Sequence, residues 1–145
     1  MPDAKPGCVF CSIVAGSAPA EIVARDGDVC AFLDVRPVFK GHVLVAPLAH
    51  IENLASLDAA RVPAIFAAVQ KIAGAVERGL GADGTFVAIN NNVSQSVPHL
   101  HVHVVPRRFK DGLRGFFWPR HKYDSDGERA DYARRIREAL STRSS

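Results

Sequence analysis

The chain is poor in the features that would place it quickly in a special class. Its 145 residues include one tryptophan, one methionine, two tyrosines and three cysteines. An odd cysteine count does not make a disulfide framework. The N-terminus, MPDAKPGCVF, lacks the charged-then-apolar pattern of an export signal, so a cytoplasmic chain is expected. No uninterrupted apolar run approaches the roughly 20 residues of a membrane span, and no membrane partner is expected. The net charge of +3 is mild, and basic residues adjoin only at Arg107-Arg108 and Arg134-Arg135 among the pairs that stand out. They are not interleaved with aromatics as in a stacking platform, so no nucleic-acid partner is expected, whereas small anionic substrates fit this balance. There is no internal repeat and no low-complexity tract. With 48% hydrophobic and 23% charged residues, the chain should form one domain over 1–145 with a real core.

What is present reads as an α+β pattern. Residues 1–7 carry two prolines and a glycine and are expected to be a loose arm. A short helix over 12–15 should end at Gly16. Strands over 22–25 and 29–34 flank Asp26-Gly27-Asp28, a strong hairpin signal. A third strand is expected over 42–46, closed by Pro47. After a turn at 57–61, the stripe Ile65, Val69, Ile72 and Val76 predicts a main helix over 62–78, ended by Gly79 and Gly81. Further strands are expected over 85–90 and 98–105, joined by a polar loop over 91–97. A loop over 106–125 then leads to a C-terminal helix over 126–141. The order implies an antiparallel sheet with one main helix packed on it.

The chemistry concentrates in Pro98-His99-Leu100-His101-Val102-His103-Val104-Val105. In an extended strand, residues two apart share a face, so three imidazoles would line roughly 13–14 Å of one surface. Imidazole suits two kinds of chemistry. It binds metal, and it attacks phosphorus to split a displacement into two easier steps. His101, flanked by two same-face neighbours, suits the second. Upstream, Cys8-Val9-Phe10-Cys11 reads as a metal half-site or a redox pair, and Cys30 as a small core residue.

The run His-Leu-His-Val-His-Val-Val resembles the signature of the histidine triad (HIT) family. Cys8-Val9-Phe10-Cys11, Ala31-Phe32-Leu33-Asp34, Gly41-His42-Val43-Leu44-Val45-Ala46-Pro47 and His50-Ile51 have counterparts there in the same order. The resemblance covers residues 8 to about 107. It implies a nucleotide-binding α+β fold and a homodimer whose sheets join into one. It implies hydrolysis or nucleotidyl transfer at phosphoanhydride or phosphoramidate bonds, the middle histidine, His101, attacking the α-phosphorus. His103 would then contact the phosphate or leaving group, and His42 would bond within the triad site.

By the same resemblance Asp34 would accept the ribose hydroxyls, and Asn90, Gln95 and Ser96 would reach the phosphates. Phe10, Ile13, Phe32 and Leu33 would wall a purine base. Cys8, Cys11, His50 and His99 would hold a structural Zn2+ in a closed Cys2His2 site. The competing reading leaves the cysteines reduced and vacant, with His99 hydrogen-bonded in the catalytic site. The loop after Asn90 is Asn-Asn-Val-Ser, shorter than the Gly-rich version of relatives, and Asn91 and Asn92 read best as turn formers. Aromatics and arginines over 107–120 would pack at a dimer interface, cover the site or meet extra phosphates; His121 has no assigned role. Two other functions stay open: a nucleotide-binding regulatory module with little turnover, and a zinc hydrolase using His101 and His103 as ligands.

Overall fold

The computed structural model describes residues 3–113 and 120–141. The chain divides into two compact units, Met1–Asp111 and Gly112–Ser145. The first begins with helix α1 (Val9–Val14), followed by strands β1 (Ile22–Asp26), β2 (Val29–Leu33) and β3 (Val43–Pro47). Two 3-10 turns, Leu54–Ser56 and Ala59–Arg61, lead into helix α2 (Val62–Leu80), and β4 (Gly84–Ala88) and β5 (Val102–Arg107) complete the sheet. All pairings are antiparallel, in the order β1-β2-β3-β5-β4.

Strand alternation sorts side chains onto two faces. Val29 and Ala31 of β2, Val43 and Val45 of β3, and Val102 and Val104 of β5 pack with Ile65, Val69, Ile72 and Val76 of α2. The residues between them, Cys30, Phe32, Leu44 and Ala46, pack instead with Cys8, Phe10, Cys11 and Val14 from α1 and its cap. His103, paired with Leu44 across the β3–β5 ladder, stands on this second face. Residues Ala59–Leu80 are long and apolar enough to cross a membrane by length and composition. Their buried stripe against the sheet makes this segment the core helix of the fold.

Local chemistry explains the joints. Gly27 takes φ +54°, the positive value that primed hairpin turns require, between β1 and β2. Pro63 sits in the first turn of α2, where no intrahelical N–H is needed, and Gly81 closes that helix at φ +62°. Gly79, expected as a terminator, lies inside it.

The largest departure concerns the histidine strand. It was expected over 98–105, but β5 begins at Val102, so only His103 of the three histidines lies in the strand. The β3–β5 ladder stops at Val45↔Val102. Beyond it the Pro47 carbonyl accepts from the His99 ring at 2.9 Å, and Leu100 N–H donates to Ile51 O at 2.6 Å. The histidine segment thus bonds to the end of β3 through a side chain and to the loop beyond it through Leu100, rather than through a strand ladder. At the other end β5 runs through Pro106, which pairs with Thr85. The β3 pairing has ended at Val104, so the proline has a partner strand on one side only.

Of the segment expected to be loose, the described residues from Asp3 onward make hydrogen bonds to the body of the fold. His50 N–H donates to Asp3 O at 3.0 Å, Cys8 N–H to Lys5 O at 3.1 Å, and the Lys5 ammonium meets Glu52 at 3.3 Å. In the second unit, helix α3 (Asp126–Ser141) is capped at its start by the Ser125 hydroxyl. Glu128 N–H donates to Ser125 Oγ at 3.0 Å and Asp124 N–H to the Glu128 carboxylate at 3.0 Å. The expectations for Arg114, Phe116, Phe117 and Trp118 fall outside the described residues.

Candidate active site

The second face of the sheet carries two adjoining clusters. The first begins in the β2–β3 loop. Asp34 N–H donates to His42 O at 2.9 Å and His42 N–H to Phe39 O at 3.0 Å, closing the loop on itself. Gly41, at φ +98°, permits this closure, and a Cβ added there would collide with Leu80. The folded-back loop aims Val38 N–H at His42 Nδ1, 3.1 Å away. Nδ1 of His42 is therefore an acceptor, and neutral His42 carries its proton on Nε2. That nitrogen lies 2.9 Å from His103 Nδ1 and donates to it. His103 in turn holds its own proton on Nε2, which is buried and has no partner among the described residues. A backbone amide thus sets two tautomers in series and leaves a donor aimed into the site.

Burial, then the nearby His101 and His42 rings, push His103 down to about 4, against the attraction of Asp34, so it is neutral at pH 7. Burial likewise lowers His42, partly offset by Asp34, whose carboxylate lies 3.7 Å from Nδ1. His101 is fixed separately. Its Nδ1–H donates to His99 O at 2.7 Å, leaving the lone pair on Nε2. Its ring meets Phe10 edge-on at 4.9 Å and His103 at 4.9 Å.

A cleft of about 530 Å³ opens over these rings. Phe10, Ile13, Phe32 and Leu33 give it an apolar wall, and Asp34, Ser96, His101 and His103 line the same space. His42 acts from behind His103. Asn90 and Gln95 are not brought into the cleft lining. The Gln95 amide donates to Glu52 O at 2.6 Å and accepts Asn92 N–H at 2.9 Å, so it braces its own loop. Asn91 accepts Leu54 N–H at 2.8 Å and Asn92 adopts φ +67°, as turn formers do. Arg36, exposed at the cleft and two residues beyond Asp34, was not anticipated. Neither were Val38 N–H and the Pro47 carbonyl, because backbone groups carry no residue-type signal.

The second cluster joins Cys8, Cys11, His50 and His99, whose ligand atoms all lie within 4.8 Å of one another. Cys8 Sγ is 3.4 Å and Cys11 Sγ 3.6 Å from His99 Nδ1, and Cys11 Sγ is 3.5 Å from His50 Nδ1. Tetrahedral Zn–S and Zn–N bonds of about 2.3 and 2.0–2.1 Å place S and N roughly 3.5 Å apart. His99 Nε2–H donates to Pro47 O at 2.9 Å, so Nδ1 keeps its lone pair toward the sulfurs. Cys11 and Lys5 backbone N–H groups donate to Cys8 and Cys11 Sγ, both at 3.4 Å. These four residues fit a closed metal site. Asp34, His42 and His103 also lie close enough to share an ion, but the His42 nitrogens and His103 Nδ1 are already committed to hydrogen bonds.

A five-stranded antiparallel α+β scaffold with a histidine relay on one face places the chain in the histidine-triad class. The chain belongs to the HIT domain family, which matches residues 15–110. It is 40% identical over 119 residues to Protein hit of Bacillus subtilis, covering 81% of this chain and 82% of that protein. It is 33% identical to the adenosine 5'-monophosphoramidase hnt1 of Schizosaccharomyces pombe, over 77% of this chain and 83% of the other. With the adenylylsulfatase HINT3 of Arabidopsis thaliana it shares 32% identity over 73% of this chain and 55% of the other. Among solved structures, SMU.412c of Streptococcus mutans superposes with a TM-score of 0.86 at 35% identity, over 97% and 89% of the two chains. A zinc-bound histidine triad protein of Mycobacterium smegmatis superposes at 0.71 with 38% identity, over 92% and 97%.

Proposed function

We propose that this protein is a nucleotidyl hydrolase or transferase acting on adenylated or dinucleoside polyphosphate substrates. The observation that carries the reading is the His101–His99 carbonyl bond, which in the neutral ring puts the lone pair on Nε2, in a cleft with an apolar wall. His101 Nε2 attacks the α-phosphorus, forming a P–N bond while the bond to the leaving group breaks and that group takes the electron pair. His103 Nε2–H donates to the phosphoryl or departing atom as charge develops there. Water or another acceptor then attacks the same phosphorus and releases His101. The base lies against Phe10, Ile13, Phe32 and Leu33, the ribose hydroxyls donate to Asp34, and Ser96 donates to phosphate. The two named relatives that act on adenosine phosphoramidate and adenylyl sulfate support this substrate class.

In the same proposal Cys8, Cys11, His50 and His99 hold a structural zinc, supported by the donor set and by the zinc-bound relative. When bound, such an ion supplies charge neutralisation and rigidity rather than an open Lewis-acid position. A homodimer would join the sheets through β4, the edge strand next to β5.

Mass spectrometry of acid-quenched protein mixed with adenosine 5'-phosphoramidate or diadenosine polyphosphate tests the reaction. A nucleotidyl adduct on His101 is expected, and His101→Ala should lose it together with about 10⁴-fold or more of the turnover. No adduct and no turnover from wild type with either substrate class, with AMP still bound, would leave a regulatory nucleotide-binding module.

A further inference from the structure

Helix α1 has only six residues, far fewer than a helix needs to hold itself in water. Something outside it must fix its position. Its N-cap is Cys8 and its first turn contains Cys11, both ligands of the proposed metal site. Between those cysteines stand Val9 and Phe10, and a turn later comes Ile13. All three line the cleft. One short segment is therefore a ligand pair on one side and a cleft wall on the other.

Phe10 is the point of closest coupling. It is buried and meets Phe32 at 5.2 Å, His99 at 5.7 Å and, edge-on, His101 at 4.9 Å. A second link runs through the backbone, since the carbonyl of His99 receives His101 Nδ1–H. The core under α2, built from residues such as Val45, Val69 and Val102, contains none of the four ligands. Loss of the metal should then release α1 while the sheet and α2 keep their own packing.

We propose that the Cys8–Cys11 segment transmits metal occupancy to the nucleotide cleft, with Phe10 as the positioning residue for both the base and the His101 ring. This rests on reading the cleft as a nucleotide site. Metal and nucleotide then bind cooperatively, each raising the affinity of the other by the same factor.

The test compares zinc-loaded and chelator-treated protein by calorimetric titration with AMP, far-UV circular dichroism and hydrogen–deuterium exchange. Metal removal should weaken AMP binding about 10-fold or more. It should raise exchange chiefly over residues 8–15 and leave the dichroism of the core intact. AMP should slow zinc loss to a chromophoric chelator. Phe10→Ala in the zinc-loaded protein should weaken AMP binding comparably and make it nearly insensitive to subsequent metal removal.

Unchanged AMP affinity after chelation would overturn the proposal. So would collapse of the whole fold, since the metal would then hold the core rather than α1. Full metal sensitivity in Phe10→Ala would remove Phe10 from the route and overturn its assigned role. If zinc-loaded wild type bound no AMP at all, the nucleotide reading would fall, and this inference with it. Failure to trap an adduct on His101 would instead remove the reaction while leaving the coupling measurable.

Discussion

Which ring nitrogen carries the proton decides what each histidine can do. Val38 N–H fixes His42, His42 fixes His103, and the His99 carbonyl fixes His101. In the proposed reaction the three imidazoles near the cleft serve as one positioning group, one donor and one nucleophile. Replacing His42 by Ala would leave His103 Nδ1 without its donor and free that ring to adopt either tautomer. Turnover should fall about 10²-fold, the usual worth of a positioned proton donor, with a smaller change in KM. The His103 pKa, followed by NMR of the ring, should rise from about 4, since repulsion from His42 is one of its causes and the cavity would also admit water. A His103 that still titrates near 4 in His42→Ala would mean that His42 does not govern it.

At the scale of elements, periodic features were legible in the sequence and features set by backbone groups were not. The β1–β2 hairpin follows from Asp-Gly between apolar runs, and α2 from its stripe of Ile65, Val69, Ile72 and Val76. The start of β5 was misplaced because alternation over 98–105 is real in sequence while strand pairing depends on a neighbour. The neighbour's Pro47 carbonyl is taken by His99. Gln95 shows the same limit: an amide before the strand suits phosphate, but its partners Glu52 and Asn92 are invisible until the loops fold together. The end of α2 gives a further case. The Arg108 guanidinium donates to Leu80 O at 2.6 Å and to Gly81 O at 2.5 Å, closing carbonyls that the helix leaves open. Arg108→Ala should lower the midpoint of thermal unfolding by roughly 2–5 °C without changing AMP affinity. A wild-type midpoint would show that water replaces the cap at no loss.

For the molecule as a whole, the sheet separates stability from chemistry, and the separation is incomplete where buried histidines replace apolar side chains. One face of the sheet is aliphatic against α2, while the other carries His103 with His42 beside it. Both rings stay neutral in the folded state below the pH at which they would protonate in an unfolded chain, near 6.5. The sign of the linkage follows: as pH falls through 6.5, the unfolded chain takes up protons that the native site refuses, so unfolding is favoured. Stability should be level above about pH 7, decline between 6.5 and about 4, and lose this slope once His103 protonates in the native state as well. Unfolding midpoints of zinc-loaded protein between pH 7 and 5 should fall by roughly 5 °C or more, and the His103→Gln variant should lose part of that fall. His50 and His99 belong to the metal cluster in both proteins alike, so the diagnostic quantity is the difference between wild type and variant. Parallel curves for the two proteins would mean that His103 titrates alike in the folded and unfolded chain, and that burial in the site does not hold it neutral.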